Sequence, residues 1–266
     1  MNRTRLRLKK QRVPLAYLVV RAFAFSVVAL FLIVHLAELQ AAEPRIRPAL
    51  IGNGPSALIN LIDTKKLMDK GQRDGLLMFT CYVGASGIVG DYLIYRETPG
   101  SELLKKGVGD SLRACRFIPA IYNGTRTDVL LAGTVVFWVA DGRPHLRIYM
   151  NQNRDDVAKG NDFIAPQVVY NTVDWAALQY DPVLTKAKVY LQNGVLQLSV
   201  TVDANGNQKD LKVVLEDPPG FRFGEGFRKI YARAKWIPGF RNGHPADCTF
   251  DYVIYFKLWD RGFERR

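Results

Sequence analysis

The chain has 266 residues, 48% of them apolar and 23% charged, with a formal net charge of +12. That length holds one or two ordinary domains with a full core, and the apolar share excludes a wholly disordered chain. The charge is no nucleic-acid signal: seven of the 37 basic residues lie in the first 42 positions, leaving 30 basic against 24 acidic side chains over 43–266, a mild net of +6.

At the N-terminus a basic stretch runs to Arg21, Ala22–Val34 is an apolar run, and Ala41-Ala42 offers small residues for cleavage. Basic, apolar, small is the order of a secretory signal peptide. Adding Val13–Val20 reaches the length of a membrane span, at the cost of placing Arg21 in the bilayer, so a retained signal anchor is the other reading of 1–42. In both cases the basic flank stays in the cytoplasm and the remainder is exported. The periplasm of a Gram-negative envelope is the expected location, with membrane contact only through this segment if it is uncleaved. Folded sequence starts near Glu43.

The exported part repeats itself at an offset of 119 residues. Leu76–Tyr95 matches Val195–Val214, and Arg113–Thr125 matches Ala232–His244. Gly87 falls on Gly206, Asp91 on Asp210, Pro119 on Pro238, and Asn123-Gly124 on Asn242-Gly243. Phe117-Ile118-Pro119 recurs as Trp236-Ile237-Pro238. Self-similarity at one fixed spacing marks duplicated structure. The expected division is repeat one over 43–151, a connector with a helix over 152–185, and repeat two over 186–266.

In repeat one, the turn Ala140-Asp141-Gly142-Arg143 followed by Leu146, Ile148 and Met150 predicts a hairpin with an extra strand. The connector contributes helical spacing over Val173–Lys188. In repeat two, Leu196, Leu198, Val200 and Val202 alternate with polar residues, the period of a strand with one wet face. Asp203-Ala204-Asn205-Gly206 is turn chemistry, and Leu211, Val213 and Leu215 form the returning strand. Pro218-Pro219-Gly220 breaks it, Phe223–Arg233 has helical spacing, and Phe250 to Leu258 alternates again. The order α-β-β-α-β predicts an α+β fold in each repeat, a small antiparallel sheet with helices packed on it.

Taken in this order, the residues resemble the TonB C-terminal domain family. The match in repeat two runs over about 185–258, through Gly194-Val195, Asp203-x-x-Gly206, Val213-Val214, Trp236-Ile237-Pro238, Asn242-Gly243 and Phe256-x-Leu258. Repeat one matches over about 70–139, with Gly84 where repeat two has Asp203. The resemblance implies a non-catalytic protein that binds extended segments of envelope proteins, an outer-membrane transporter or inner-membrane motor subunits, by adding a strand to a sheet edge. The closing strands would carry that edge: Asp251, Val253, Tyr255 and Lys257 in repeat two, and Leu130–Val136 in repeat one. The long proline-rich spacer of an energy transducer is missing. Ser26 and His35 stand nine apart, out of phase on a helix, where TonB anchors keep such a pair together. An inner-membrane-anchored accessory of TonB-type transport, or a purely structural envelope protein, are the alternatives.

Comparing the two sheets adds one expectation. The outer face of repeat two is polar, whereas repeat one has Met78, Tyr82, Leu93, Leu130 and Trp138 at matching positions. A sheet apolar on both faces needs cover on both, so this face should be buried between the repeats, under the connector or by a partner. Chemistry-bearing patterns are sparse. His145 and His244 lack a nearby nucleophile motif, Asp155-Asp156 with Asp162 lack a calcium-loop spacing, and Gly52-Asn53-Gly54 is no phosphate loop. Neither a metal nor a cofactor is expected, and no catalysis. Cys81 and Cys115 can face one core, which permits a disulfide between them, with Cys248 left over.

Overall fold

The alternating segments of both repeats form the longest strands of the chain. In the computed structural model, which describes residues 45–175 and 194–256, the chain opens with β1 (Ile46–Arg47) and two short helices, Leu58–Leu61 and Thr64–Asp69. Next come β2 (Gly75–Val83), β3 (Val89–Glu97), the helix Glu102–Ala114, β4 (Ala120–Tyr122), β5 (Thr125–Thr127), β6 (Val129–Ala140) and β7 (Arg143–Tyr149). The middle of the chain gives the helix Arg154–Lys159, β8 (Phe163–Ile164) and β9 (Gln167–Val169). Finally come β10 (Gly194–Val202), β11 (Gln208–Asp217), the helix Phe223–Tyr231, β12 (Trp236–Ile237), β13 (Gly239–Arg241), β14 (His244–Ala246) and β15 (Cys248–Phe256). The architecture is mixed α+β, with several small antiparallel sheets and few helices. The expected signal segment 1–42 and nearly all of the expected helix Val173–Lys188 lie outside the described residues.

Two antiparallel frames share one plan. β2 lies between β3 and β6, and β10 lies between β11 and β15. Burial alternates strictly along both central strands, because successive side chains point to opposite faces. Turn geometry explains why glycine recurs at one place in each hairpin. Gly87 and Gly206 both have a φ of +80°, and a Cβ on either would stand 2.1 Å from a carbonyl oxygen, that of Phe117 or of Trp236. Only glycine tolerates both demands. The Asp141-Gly142 turn closes β6 onto β7, as its sequence predicts.

Each half has its own core, and the two are stitched together. The first gathers Leu77, Phe79, Leu104, Leu112, Leu131 and Phe137; the second gathers Leu196, Leu198, Phe223, Tyr231, Trp236 and Tyr252. Ile237, from the second half, is wholly buried in the first core. Leu130, from the first half, packs on the second core. The link is β9, which pairs with β12 on one side and with Val129–Leu130 of β6 on the other, so one six-stranded sheet spans both halves. The stretch read from sequence as connector therefore supplies the strand that fuses the halves. It also begins the second frame: β8 pairs β13 as β1 pairs β4.

Candidate functional site

β15 is the closing strand of the second frame. It pairs with β10 along its full length, from Gly194–Phe256 to Val202–Cys248. Its other edge has no partner strand among the described residues. Phe250 and Tyr252 point into the core, where Tyr252 and Tyr231 share a hydroxyl–hydroxyl bond of 3.2 Å. Thr249 and Asp251 are exposed on the opposite face, and Val253 there is half-buried. Gln197 Nε2 donates to Asp251 Oδ2 at 3.0 Å, and the Thr201 and Thr249 hydroxyls meet at 2.9 Å. The side chain of Tyr255 and the whole of Lys257 lie outside the described residues.

The matching edge in the first frame is closed, which corrects the expectation for Leu130–Val136. β6 pairs with β2 on one side; on the other, β9 takes Val129–Leu130 and β7 takes Thr134–Ala140. Between these two, Gln152 Nε2 donates to the Gly133 carbonyl at 3.2 Å. The reason is the Asp141-Gly142 turn, which folds the chain straight back onto its own edge.

The apolar face of repeat one is covered in part. Tyr82 meets the edge of the Tyr170 ring at 4.9 Å, Leu130 packs on the second core, and the Trp138 ring stacks on His145 at 5.1 Å. Met78 is half-buried. Leu93 does not follow: it is 37% exposed, because β3 is the outermost strand of its sheet among the described residues.

What remains of that face floors a cleft of about 1100 Å³, with Leu76, Met78, Ala132, Val136 and Trp138 at its base. The helix Arg154–Lys159 makes one wall, and Thr249 and Asp251 bring the open edge of β15 to its margin. Arg96, Arg147, Arg154 and Lys159 line it against Asp155 and Asp251, so its charge is positive. Arg147 lies over the Tyr149 ring at 4.8 Å and donates to the Gly160 carbonyl at 2.8 Å. The wall helix is anchored by Asp156, which accepts both Arg241 guanidinium nitrogens at 3.0 and 3.1 Å and Asn161 Nδ2 at 3.0 Å. The hydrogen-bonded guanidinium holds the Asp156 carboxyl below the usual carboxylate range. Arg241 in turn caps the Phe163 ring at 4.1 Å.

Sequence reasoning missed this wall, since it weighed Asp155-Asp156 only against a calcium-loop spacing. A local signal was there. Asn153 caps the helix by accepting from the Asp155 and Asp156 amides, acidic residues fill the first turn, and Gly160 ends it with a φ of 68°.

Neither a protein-family model, nor a curated protein, nor a solved structure matches this chain. The site therefore rests on its own chemistry. Cys81, Cys115 and Cys248 are free thiols, so the disulfide between Cys81 and Cys115 is not formed. Cys115 Sγ instead points at the Leu112 carbonyl, 3.5 Å away, and both cysteines pack as small apolar residues in the first core. Burial pushes the Cys81 thiol well up and the Cys115 and Cys248 thiols to about 11, which keeps them protonated and poorly nucleophilic at neutral pH. Among the described residues, no group of three or more His, Cys, Asp and Glu stands together to hold a metal. His145 is stacked on Trp138, and His244 sits exposed in the β13–β14 hairpin. What the arrangement offers is a strand edge, unpaired among the described residues, beside an apolar, positively charged cleft.

Proposed function

We propose that the chain is a non-catalytic protein of the periplasm, built from two TonB C-terminal-like domains, that binds extended segments of envelope proteins by adding them as a strand to β15. One observation carries this reading. The first frame fills its own closing edge with β9 and β7, whereas the same edge in the second frame has no partner strand among the described residues. An unpaired edge presents a row of donors and acceptors that only another extended chain satisfies in register. The adjoining cleft supplies an apolar floor and a cationic rim for the side chains of the incoming segment. Outer-membrane transporters and inner-membrane motor subunits are the partners that the TonB resemblance brings forward. If the N-terminal segment is not cleaved, it tethers the protein to the inner membrane.

The test is a photo-crosslinking residue at Val253 in cells. Capture of an extended segment of an envelope protein is the expected result. Crosslinks only to the chain's own residues would overturn strand addition at this edge.

A further inference from the structure

The junction between the two halves has an unfilled donor at one end of the molecule and an unfilled acceptor at the other. Inside the molecule, Val168 and Val169 of β9 pair with Leu130 and Val129, and Ile237 beside them reaches into the first core. Val168 and Ile237 are fully buried there.

The first frame carries the same donor elements. β1 pairs with β4 as β8 pairs with β13, and the bridge between Leu50 and Ile118 repeats the pairing of Gln167 with Ile237. In that register Ile51 stands for Val168 and Ile118 for Ile237, while Gly52, with a φ of +73°, turns away where Val169 stays extended. Yet Ile118 is 39% exposed, and Ile88, which bridges the neighbouring strand residue Arg116, is 47% exposed. Ile51 and Gly52 are only half-buried. Ile51 and Ile118 thus stand open where Val168 and Ile237 are sealed at the internal junction.

At the opposite end, Cys248 and Thr249 of β15 stand where Val129 and Leu130 stand in β6, and their outer edge is unpaired among the described residues. We propose that a second copy of this chain fills the gap, its Ile51 pairing antiparallel with Thr249. Ile118 then packs against Gly239–Arg241, as β12 lies against β4 internally.

Such a contact is heterologous, since it joins two different surfaces and leaves a free donor and a free acceptor on every pair. It is also weaker than the internal junction. Thr249 replaces Leu130, and Thr201 replaces Tyr82, so the ring contact between Tyr82 and Tyr170 has no counterpart. Association is therefore reversible and concentration-dependent. It goes beyond the peptide reading and meets it at Thr249, which also lines the cleft, but the two probes stand apart, since Val253 lies four residues and roughly 13 Å along the strand from Thr249.

The experiment places the photo-crosslinking residue at Ile118 in the full chain, in cells. A covalent species of twice the chain mass is expected, with the crosslinked peptide falling within 239–250 of the other copy. Two tagged variants then separate the ends: Ile118→Glu removes the donor and Thr249→Pro the acceptor. Each should lose self-association at least tenfold, and the two should pair with each other when co-expressed. No capture of a second copy overturns the proposal, as does capture through the partner's own Ile118 region, or capture of another protein alone. Should Thr249→Pro fail to fold, the mapped crosslink decides by itself. The Val253 and Ile118 probes can fail separately, so loss of one reading does not decide the other.

Discussion

Gly206 shows how narrow the chain's tolerance is at single positions. A methyl group there meets the Trp236 carbonyl and a φ of +80° at once. Gly206→Ala should therefore destabilise the protein by roughly 2–4 kcal/mol, with a similar loss for Gly87→Ala, read as a shift in the denaturation midpoint at unchanged slope. A loss below about 0.5 kcal/mol would mean that the hairpin shifts to accommodate the Cβ. Asp203 in the same turn accepts from the Asn205 and Asn207 amides and pairs with Lys209 at 2.8 Å. The Lys209 hydrogen bond, with the Asn207 amide next, holds its carboxyl well below the usual carboxylate range. A depressed folded value gives stability that is fully present above the unfolded carboxylate value and is lost as pH falls through the folded one. Asp203→Asn should thus cost stability at pH 7, with the gap to the parent protein closing below about pH 4. A gap that persists unchanged to pH 2 would assign the effect to the amide's shape and not to charge.

Among the elements, β9 depends on a clamp that no periodicity announces. The Ala49 amide donates to Gln167 Oε1 at 2.7 Å, and Gln167 Nε2 returns to the Ala49 carbonyl at 2.9 Å. Both residues are buried. Gln167→Ala leaves a buried donor and acceptor unpaired, so a loss of roughly 2–4 kcal/mol is expected, with faster amide exchange at Ala49 and Leu50. Exchange at parent rates in a folded variant would show that the clamp is idle. The long strands were legible because alternation over seven or more residues decides strand against helix: Leu196–Val202 and Phe250–Phe256 fell where their pattern put them. β8 and β9 were not legible. Two or three residues around Ala165-Pro166 carry no period, and their place is fixed by partners far away in the chain. The same holds for the candidate site. The β15 edge was readable as a strand, but the cleft beside it was not, because its floor and its wall come from opposite sides of the β6–β7 hairpin.

For the whole molecule, the sequence repeat proved a guide to the frames but not to their boundary. Residues 44–266 form one compact unit. The arm that starts the second frame closes the edge of the first, and each half lends a side chain to the core of the other. The difference between the frames matters more for binding than their likeness. One closing strand is satisfied from within, and the other, among the described residues, has an unpaired edge beside a cationic cleft.

The position of β9 along the chain also sets a timetable for folding during synthesis. Val129 and Leu130 leave the ribosome about 40 residues before their partners on β9, a lag of roughly 2–8 s at ordinary elongation rates. Throughout that interval the nascent first frame carries the same kind of unpaired edge that β15 shows among the described residues of the mature protein. A nascent chain arrested just before Phe163 would therefore be the form most prone to mispairing with its neighbours.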